Sequence, residues 1–429
     1  MSSPAQAAPA EVAAAVADAH RREWGRVLAA TVRVTRDLDL AEECVQDAFA
    51  AALTAWRDGV PDRPGAWLTT SARRRALDLL RRADVARRAL PKLVDDPYSP
   101  GPEELSADLA DDGSGDYPDE RLRLVVTCCH PALAREAQVA LTLRLVCGLS
   151  TAEVARAFLV PEPTMAARIT RAKKKIALAR IPYRVPPADE LPQRVEAVLG
   201  VVHLVFTTGH AAPAGEELVR RDLVERSYDL ARMLRRLLPG NADVAGLLAL
   251  VLLTDARRAT RVADDGRLLL LEEQDRSRWD ASAIAEGVAL VREALTSRSG
   301  GPPSRYALQA AIAAVHAEAP SWDDTDWREI LALYGVLAQV WPSPVVALNR
   351  AVAVAMVHGP AAGLAAVEAL DDEPQLAGYP YLPATRADLL RRLGRVGEAA
   401  AAYRVALELT AGGPERAFLA RRLAECDGG

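Results

Sequence analysis

The sequence is poor in aromatic residues and in cysteine. Phe, Trp and Tyr make up 5% of its 429 residues, although 50% of the chain is hydrophobic. Because the apolar residues are mainly alanine, leucine and valine, the composition favours helix over strand. The five cysteines have no regular spacing. This argues against a disulfide framework and is typical of proteins in the reducing cytoplasm.

Long apolar segments and catalytic signatures are missing as well. The longest apolar run, 244–254, is far shorter than the roughly 20 residues of a membrane-spanning helix, and residues 1–10 lack the basic start of a signal peptide. No HExxH, P-loop or GxSxG motif occurs. Cys128, Cys129 and His130 do not have the spacing of a tetrahedral metal site. We therefore expect a cytoplasmic protein that is not an enzyme, has no membrane partner and binds no metal or cofactor.

Charge is distributed unevenly along the chain, although the formal net charge is only −5. Residues 57–94 carry +6, residues 95–120 carry −10, residues 121–185 carry +9, and residues 186–429 carry −7. Two basic segments separated by an acidic one predict two contacts with nucleic acid. Solvated helix faces would give the same runs of charge, so composition alone leaves both interpretations open.

Three segments rich in proline, glycine or charge divide the chain. The first, 95–120, contains four prolines, three glycines and ten acidic residues, which is typical of a linker. Further breaks fall at 182–192 and 297–304. The predicted units are 11–94, 121–185, 186–297 and 304–429.

Residues 150–176 have the pattern of a helix-turn-helix. Ser150 and Glu153 have capping-box spacing and predict a short helix over 151–158. Residues 159–161 predict the turn. The apolar face of the second helix is formed by Met165, Ile169, Ala172 and Ile176.

The opposite face of this second helix carries the residues expected to contact DNA. Thr164, Arg168 and Arg171 lie where a recognition helix meets base edges, and Arg paired with guanine is the commonest specific contact. The residues assigned to phosphates, as compact point charges, are Lys173, Lys174 and Lys175.

Two helices are predicted in the first unit. Asp39 and Glu42 have capping-box spacing at the start of one helix, whose apolar residues recur at helical intervals as far as Trp56. A second helix is predicted over 66–90, with Trp67 at its start and arginines along its length.

The C-terminal region is predicted to be helical throughout, so the fold class is all-α. Residues 384–409 have the spacing of a tetratricopeptide hairpin, in which Gly394 lets two helices approach each other. Residues 345–370 look like a degenerate copy, and we expect a stack of helical hairpins. The residues expected to pack between the helices of the hairpin are Ala399, Tyr403 and Ala406.

These segments together resemble sigma-70-type sigma factors. Residues 11–94 resemble region 2 in DLDLAEECVQDAFAAALTAW and AWLTTSARRRALDLLRR, with Arg74 where many such factors have Asn. Residues 121–185 resemble region 4 in GLSTAEVARAFLVPEPTMAARITRAKKKI. Only the acidic linker lies between these two regions, and this layout resembles that of extracytoplasmic-function sigma factors. Residues 186–429 resemble the extension of one subgroup, in VEAVLGVVHLVFTTGH, ARRATRVADDGRLLLLEEQDRSRWD and PVVALNRAVAVA.

The resemblance implies that the chain binds promoter DNA and core RNA polymerase, at the β′ clamp and the β flap. The first predicted helix of region 2 would dock on the clamp, and we assign its polar rim contacts to Glu43, Gln46 and Asp47. An ordinary amphipathic helix within a helical bundle would have the same pattern.

The arginine-rich helix is expected to meet the −10 element, where unstacked bases need stacking surfaces. Trp67 is a candidate stacking side chain, and its alternative role is that of a core tryptophan at a helix start. The arginines assigned to DNA there are Arg73, Arg74, Arg75, Arg81 and Arg82.

We therefore expect an initiation factor that directs core polymerase to specific promoters and is regulated by its C-terminal extension. The alternative is a helix-turn-helix regulator with a tetratricopeptide-like sensor that does not join polymerase, which would need no clamp-docking helix. The hairpins offer a concave surface to a protein or peptide partner. The stretch 272–279 either lines a ligand or partner groove or forms a salt-bridged turn that locks two helices.

Overall fold

Most of the residues that this computed structural model of the protein describes lie in helices. Those residues are 9–89, 120–158, 160–187, 189–210, 217–263, 265, 267–297, 302–410 and 413–428. They form eighteen α-helices and no strand, which confirms the all-α prediction. No helix among them is long and apolar enough to cross a membrane. The predicted linker 95–120 lies outside the described residues, apart from Glu120.

The helices divide into two compact units, Met1–Leu204 and Val205–Gly429. The first unit begins with a three-helix bundle in which every helix packs on the other two: α1 (Pro9–Thr35), α2 (Leu38–Ala55) and α3 (Pro64–Ala89). Its buried residues are mainly alanine, valine and leucine, together with large rings such as that of Trp56. Burial of each large apolar side chain stabilises the bundle by about 1.5–3 kcal/mol.

Helix α2 is capped by Asp37. Its carboxylate accepts hydrogen bonds from the backbone N–H groups of Asp39 and Leu40, at 2.8 and 3.0 Å. The predicted capping box of Asp39 and Glu42 is therefore wrong. Asp37 has the extended backbone that an N-cap needs, whereas Asp39 already lies within the helix and Glu42 forms ion pairs described below.

A second group of helices follows in the same unit: α4 (Glu120–Cys128), α5 (Arg135–Leu141), α6 (Thr151–Ala157) and α7 (Glu162–Leu178). A π-helical turn at 142–146 continues α5. The residues of α4 and of this turn are mostly buried, and both elements pack on α1. The helix-turn-helix domain thus lies directly against the three-helix bundle.

Helices α6 and α7 form the predicted helix-turn-helix. The Ser150 hydroxyl accepts a hydrogen bond from the backbone N–H of Glu153 at 3.2 Å, and the Glu153 carboxylate accepts one from the N–H of Ser150 at 2.6 Å. The capping box is therefore confirmed. The predicted apolar face of α7 is buried, as expected, at Met165, Ile169, Ala172 and Ile176.

Helix α8 (Leu191–His210) precedes the first helices of the second unit, which are α9 (Glu217–Leu237), α10 (Ala242–Asp255), α11 (Ala281–Thr296) and α12 (Arg305–Glu318). Helix α10 is central, because it packs on α9, α11 and α12 and has ten consecutive buried residues. A helix covered on every side needs apolar residues all round, which explains why the longest apolar run of the sequence lies here.

The remaining helices each pack against the next one along the chain, as expected for a stack of helical hairpins. They are α13 (Trp327–Val340), α14 (Pro344–His358), α15 (Pro360–Glu368), α16 (Tyr381–Arg392), α17 (Val396–Leu409) and α18 (Gly413–Asp427). Their core includes the predicted residues of α17, of which Tyr403 is the largest.

Gly394, between α16 and α17, has a different role from the predicted one. Its φ is +75°, and a Cβ atom at this position would meet no atom within 4 Å. Glycine is therefore needed for the left-handed backbone of the turn, not for close approach of the helices. Close approach occurs in the preceding hairpin, where a Cβ at Gly363 would lie 2.4 Å from the Cβ of Ala355.

Replacement of Tyr403 by alanine is expected to lower the free energy of unfolding of the C-terminal hairpins by about 3–5 kcal/mol, because it leaves a large cavity between helices. Urea unfolding followed by far-UV circular dichroism measures this loss. Val405→Ala is the control, since Val405 is on the same helix and 48% exposed. Equal losses in the two variants would contradict the buried position of Tyr403.

Candidate nucleic-acid interface

Helix α7 presents most of the predicted DNA-contacting residues on its outer face. Its half-buried Arg168 lies with its guanidinium 5.7 Å from the centre of the Phe158 ring. The exposed members of this face are Thr164, Arg171, Lys174 and Lys175. The apolar face fixes the orientation of the helix, so these side chains are directed away from the domain. This geometry suits a recognition helix, and the individual DNA contacts stay predictions.

Lys173 lies on a different side of α7. Its Nζ is 2.7 Å from Asp39 Oδ1 and 2.7 Å from Glu42 Oε2, both on α2. Burial by itself lowers the pKa of Lys173, but the two carboxylates outweigh that effect and the pKa is raised. A phosphate contact by Lys173 therefore requires these ion pairs to break first, and the assignment stays a prediction for a more open arrangement.

Glu42 joins the two domains of the first unit. Its side chain is 9% exposed, and it pairs with Arg144 of the π-helical turn through one oxygen and with Lys173 through the other. A buried carboxylate costs several kcal/mol unless it is paired and hydrogen-bonded. We call Glu42, Arg144 and Lys173 the ion cluster. Within the packed arrangement the two cations offset the desolvation of Glu42, and loss of either one there would leave a buried charge only partly compensated.

Neutral contacts surround the ion cluster and hold the same two domains together. The indole Nε1 of Trp24 on α1 donates a hydrogen bond to the Leu145 carbonyl at 3.1 Å. A Cβ at Gly148 would lie 2.8 Å from Cγ of Trp24, so the chain after the π-helical turn passes very close to the ring. The Tyr183 hydroxyl donates to the Ala29 carbonyl at 2.9 Å. The interface is therefore a packed surface and not a single salt bridge.

The arginines of α3 have two kinds of environment. Arg73 donates from Nε to the Ala30 carbonyl at 3.4 Å, and Arg75 pairs with Asp47 at 2.9 Å, so both contact neighbouring helices of the bundle. Arg74, Arg81 and Arg82 are exposed. These three form the basic surface of α3 that is most accessible to a nucleic acid.

Trp67 is half-buried at the start of α3. Its ring meets that of Trp56 edge to face, with centroids 5.8 Å apart and an interplanar angle of 71°. The contact fixes the orientation of the Trp67 ring, while part of its surface stays open to solvent. The structure is thus compatible with both interpretations of this residue, a core contact and a stacking surface for a base.

The residues assigned to polymerase share one exposed face of α2. Glu43, Gln46 and Asp47 are all exposed, and the residues on the opposite side of the helix are buried in the bundle. Asp47 forms its ion pair with Arg75 at the edge of this face. Surface ion pairs of this kind contribute little to stability, so Asp47 is available to a partner at low cost.

Sequence reasoning did not identify Glu42, Arg144 or Trp24 as interface residues. One signal was present: Lys173 follows Ile169 by four positions, so it lies at the edge of the apolar face of α7 and not on the DNA side. The partners of Lys173 are 131 and 134 positions away in sequence, and no local pattern connects residues at that separation.

The cysteines of the helix-turn-helix domain are buried thiols. Cys128, Cys129 and Cys147 form no disulfide. Burial raises the pKa of Cys129 to about 11, which suppresses its thiolate. Across the described part of the chain, no group of three His, Cys, Asp or Glu side chains is placed to hold a metal ion.

Three parts of the chain match known protein families. Residues 20–85 match Sigma-70 region 2, residues 123–176 match Sigma-70, region 4, and residues 194–295 match a family of unknown function, DUF6596. An uncharacterized protein of Rhizobium meliloti (strain 1021) is 42% identical over 408 residues, which cover 93% of this chain and 92% of that protein. No solved structure matches the chain.

The three-helix bundle with its arginine-rich helix and the helix-turn-helix that follows it coincide with the matches to Sigma-70 region 2 and region 4, and these matches define a DNA-binding transcription initiation factor. The chain belongs to the sigma-70 family, in the extracytoplasmic-function layout of regions 2 and 4, and carries a C-terminal extension that includes the DUF6596 domain. Proteins of this family act with core RNA polymerase at promoter DNA in transcription initiation and are not catalysts.

Replacement of Lys173 by methionine is expected to lower the free energy of unfolding by about 1–3 kcal/mol, because Glu42 loses one of its two buried cations. Lys174→Met is the matched control, since Lys174 is exposed. Urea unfolding followed by far-UV circular dichroism compares them, and an equal stability of the two variants would contradict the role of the ion cluster. Because the folded-state pKa of Lys173 is raised, its contribution is complete below the ordinary lysine pKa and is lost as the pH rises above it.

Proposed function

We propose that this sigma factor directs core RNA polymerase to specific promoters through three surfaces and that its C-terminal extension regulates that activity. The exposed face of α2 would dock on the β′ clamp through Glu43, Gln46 and Asp47. The basic face of α3, with Trp67, would meet the −10 element, and the outer face of α7 would meet the −35 element while region 4 contacts the β flap. The observation that carries the proposal is the presence of all three surfaces, exposed, within one unit of the chain.

The packed arrangement of regions 2 and 4 supports a regulated factor. The −10 and −35 elements are separated by about 25 base pairs, which is about 85 Å at 3.4 Å per base pair. In this structure Lys173 of the recognition helix touches α2 directly, at 2.7 Å. A chain that contacts both elements must therefore separate its two domains, and we infer that the structure represents a closed form.

The extension is physically connected to region 4. The Arg194 guanidinium, at the start of α8, lies 3.0 Å from Nε2 of His130, which follows α4. A Cβ at Gly200, further along α8, would lie within the Arg135 guanidinium. Movement of α8 would therefore displace residues of region 4. In this way the extension would change the position of a DNA-binding domain. A protein or peptide partner on the hairpins α13–α18 is part of the same proposal.

Run-off transcription with purified core polymerase tests the proposal. The full-length chain is expected to produce promoter-selective starts, and Arg168→Ala with Arg171→Ala is expected to weaken promoter selection by about 10- to 100-fold, because a bidentate arginine–guanine contact contributes about 1–3 kcal/mol. Arg236→Ala is the control, since Arg236 is an exposed arginine of α9. Absence of selective starts with the unsubstituted chain would exclude the sigma role in this assay.

The same assay tests regulation by the extension. A chain that ends at residue 204 keeps the part of α8 that contacts region 4, and it lacks the second unit. Its yield of transcripts is expected to differ from that of the full chain. An identical yield at every polymerase concentration would contradict a regulatory extension and leave the sigma role intact.

Binding to core polymerase separates a sigma factor from a DNA-binding regulator with a tetratricopeptide-like sensor. Glu43→Arg with Gln46→Arg is expected to weaken binding to core enzyme by about tenfold or more, because both changes place a positive charge in the rim of the interface. The control is Ala55→Arg, an exposed residue at the end of the same helix. Fluorescence anisotropy of the labelled chain measures the affinity, and a wild-type chain that fails to bind favours the regulator.

A further inference from the structure

The chain that connects region 4 to α8 also contacts region 2. We call residues 179–187 the strap; they follow the end of α7 and lead to the start of α8. Within the strap, the Tyr183 hydroxyl donates to the Ala29 carbonyl of α1 at 2.9 Å, and the Glu120 carbonyl at the start of α4 lies 3.4 Å from the same hydroxyl oxygen. One side chain of the strap therefore touches both domains of the first unit.

The start of the strap is fixed to the recognition helix by a tight turn. Arg180 has a φ of +49°, the left-handed conformation that glycine usually supplies at the end of a helix. In this turn the Ile181 N–H donates to the Ile176 carbonyl of α7 at 3.0 Å. The direction in which the strap leaves α7 is therefore set by backbone geometry.

The other end of the strap is fixed to α8. The Pro187 carbonyl accepts hydrogen bonds from the N–H groups of Glu190 and Leu191, both at 3.0 Å. The prolines that restrict the backbone of the strap are Pro182, Pro186 and Pro187. A short, proline-rich segment is semi-rigid, so a displacement of α8 is transmitted to Tyr183.

The surroundings of Tyr183 keep its hydroxyl a hydrogen-bond donor. Burial, with a smaller contribution from Glu120, raises the pKa of Tyr183 well above the ordinary value for tyrosine, so the proton stays on the oxygen at neutral pH. Beside this bond, the Glu120 carboxylate pairs with Arg33 of α1 at 3.0 Å. The strap thus meets the interface of regions 2 and 4 at a point where α1 and α4 are already in contact.

We propose that the strap is the element through which the extension controls the separation of regions 2 and 4, with Tyr183 as its positioning residue. While α8 is held against region 4 by the contact between Arg194 and His130, at 3.0 Å, Tyr183 fastens α1 to region 4. A movement of α8 withdraws Tyr183, and the interface loses one of its contacts. The inference rests on the closed form proposed above, and it lets α8 act on both domains and not on region 4 alone.

Exchange of tryptophan indole protons with deuterated water measures how often the two regions separate. The Trp24 indole is hydrogen-bonded across the interface to the Leu145 carbonyl and is 2% exposed, so its proton exchanges when the interface opens. Trp56 is 1% exposed inside region 2, and its indole proton exchanges when region 2 itself opens. Nuclear magnetic resonance of the full chain, with isotopically labelled tryptophan, follows both signals.

Tyr183→Phe removes the hydroxyl and keeps the ring. It is expected to raise the exchange rate of the Trp24 proton by about 2- to 10-fold, the range that one neutral hydrogen bond accounts for, and to leave the Trp56 rate unchanged. Arg184→Ala is the matched control, because Arg184 is the next residue of the strap and is exposed; both rates should stay as in the wild type. An unchanged Trp24 rate in Tyr183→Phe, or an equal rise of both rates, would overturn the proposal.

A second variant tests whether α8 acts through Tyr183. Arg194→Met removes the contact between α8 and region 4, and it is expected to raise the Trp24 rate by about twofold or more. Because both changes then act on one bond, Arg194→Met should have a smaller effect in the Tyr183→Phe background than alone. Effects that multiply would contradict transmission through the strap. The measurement needs neither polymerase nor DNA, so a failure of the sigma role in transcription is a separate result.

Discussion

In the first unit, the packing of region 2 against region 4 depends on the neutralisation of one buried carboxylate. Glu42 lies inside the interface between regions 2 and 4, and both of its oxygens face cations contributed by region 4, Arg144 and Lys173. Because an unpaired buried charge is far more costly than a paired one, the packed interface requires both cations to be in place. Trp24 and Tyr183 add packing and hydrogen bonds to the same interface.

Under the proposal of a closed form, this interface would let one chain present DNA-binding surfaces and still need a trigger. The outer face of α7 is exposed in the packed form, so the closed arrangement does not hide the recognition residues themselves. It fixes the distance between that face and α3. In the proposed mechanism, regulation would act on the separation of the two sites and not on the chemistry of either one. Helix α8 contacts one of the two domains through Arg194.

Local patterns predicted local structure well. The capping box at Ser150 and Glu153 and the apolar face of α7 were read correctly, because caps and helical periodicity depend on residues a few positions apart. Two predictions were wrong. In one, two neighbouring residues could each cap the same helix, and in the other the backbone conformation determines why a glycine is needed. Asp37 caps α2 instead of Asp39, and Gly394 serves the turn through its positive φ.

The sequence by itself determined the fold class, the order of the domains, the basic outer face of α7 and the exposed face of α2, since each follows from composition or from short-range periodicity. Only the tertiary structure decided which charges become buried. It placed both Lys173 and Arg144 against Glu42. These outcomes depend on contacts between residues far apart in the chain, where desolvation and pairing are set by the packing of whole helices and not by neighbouring residues.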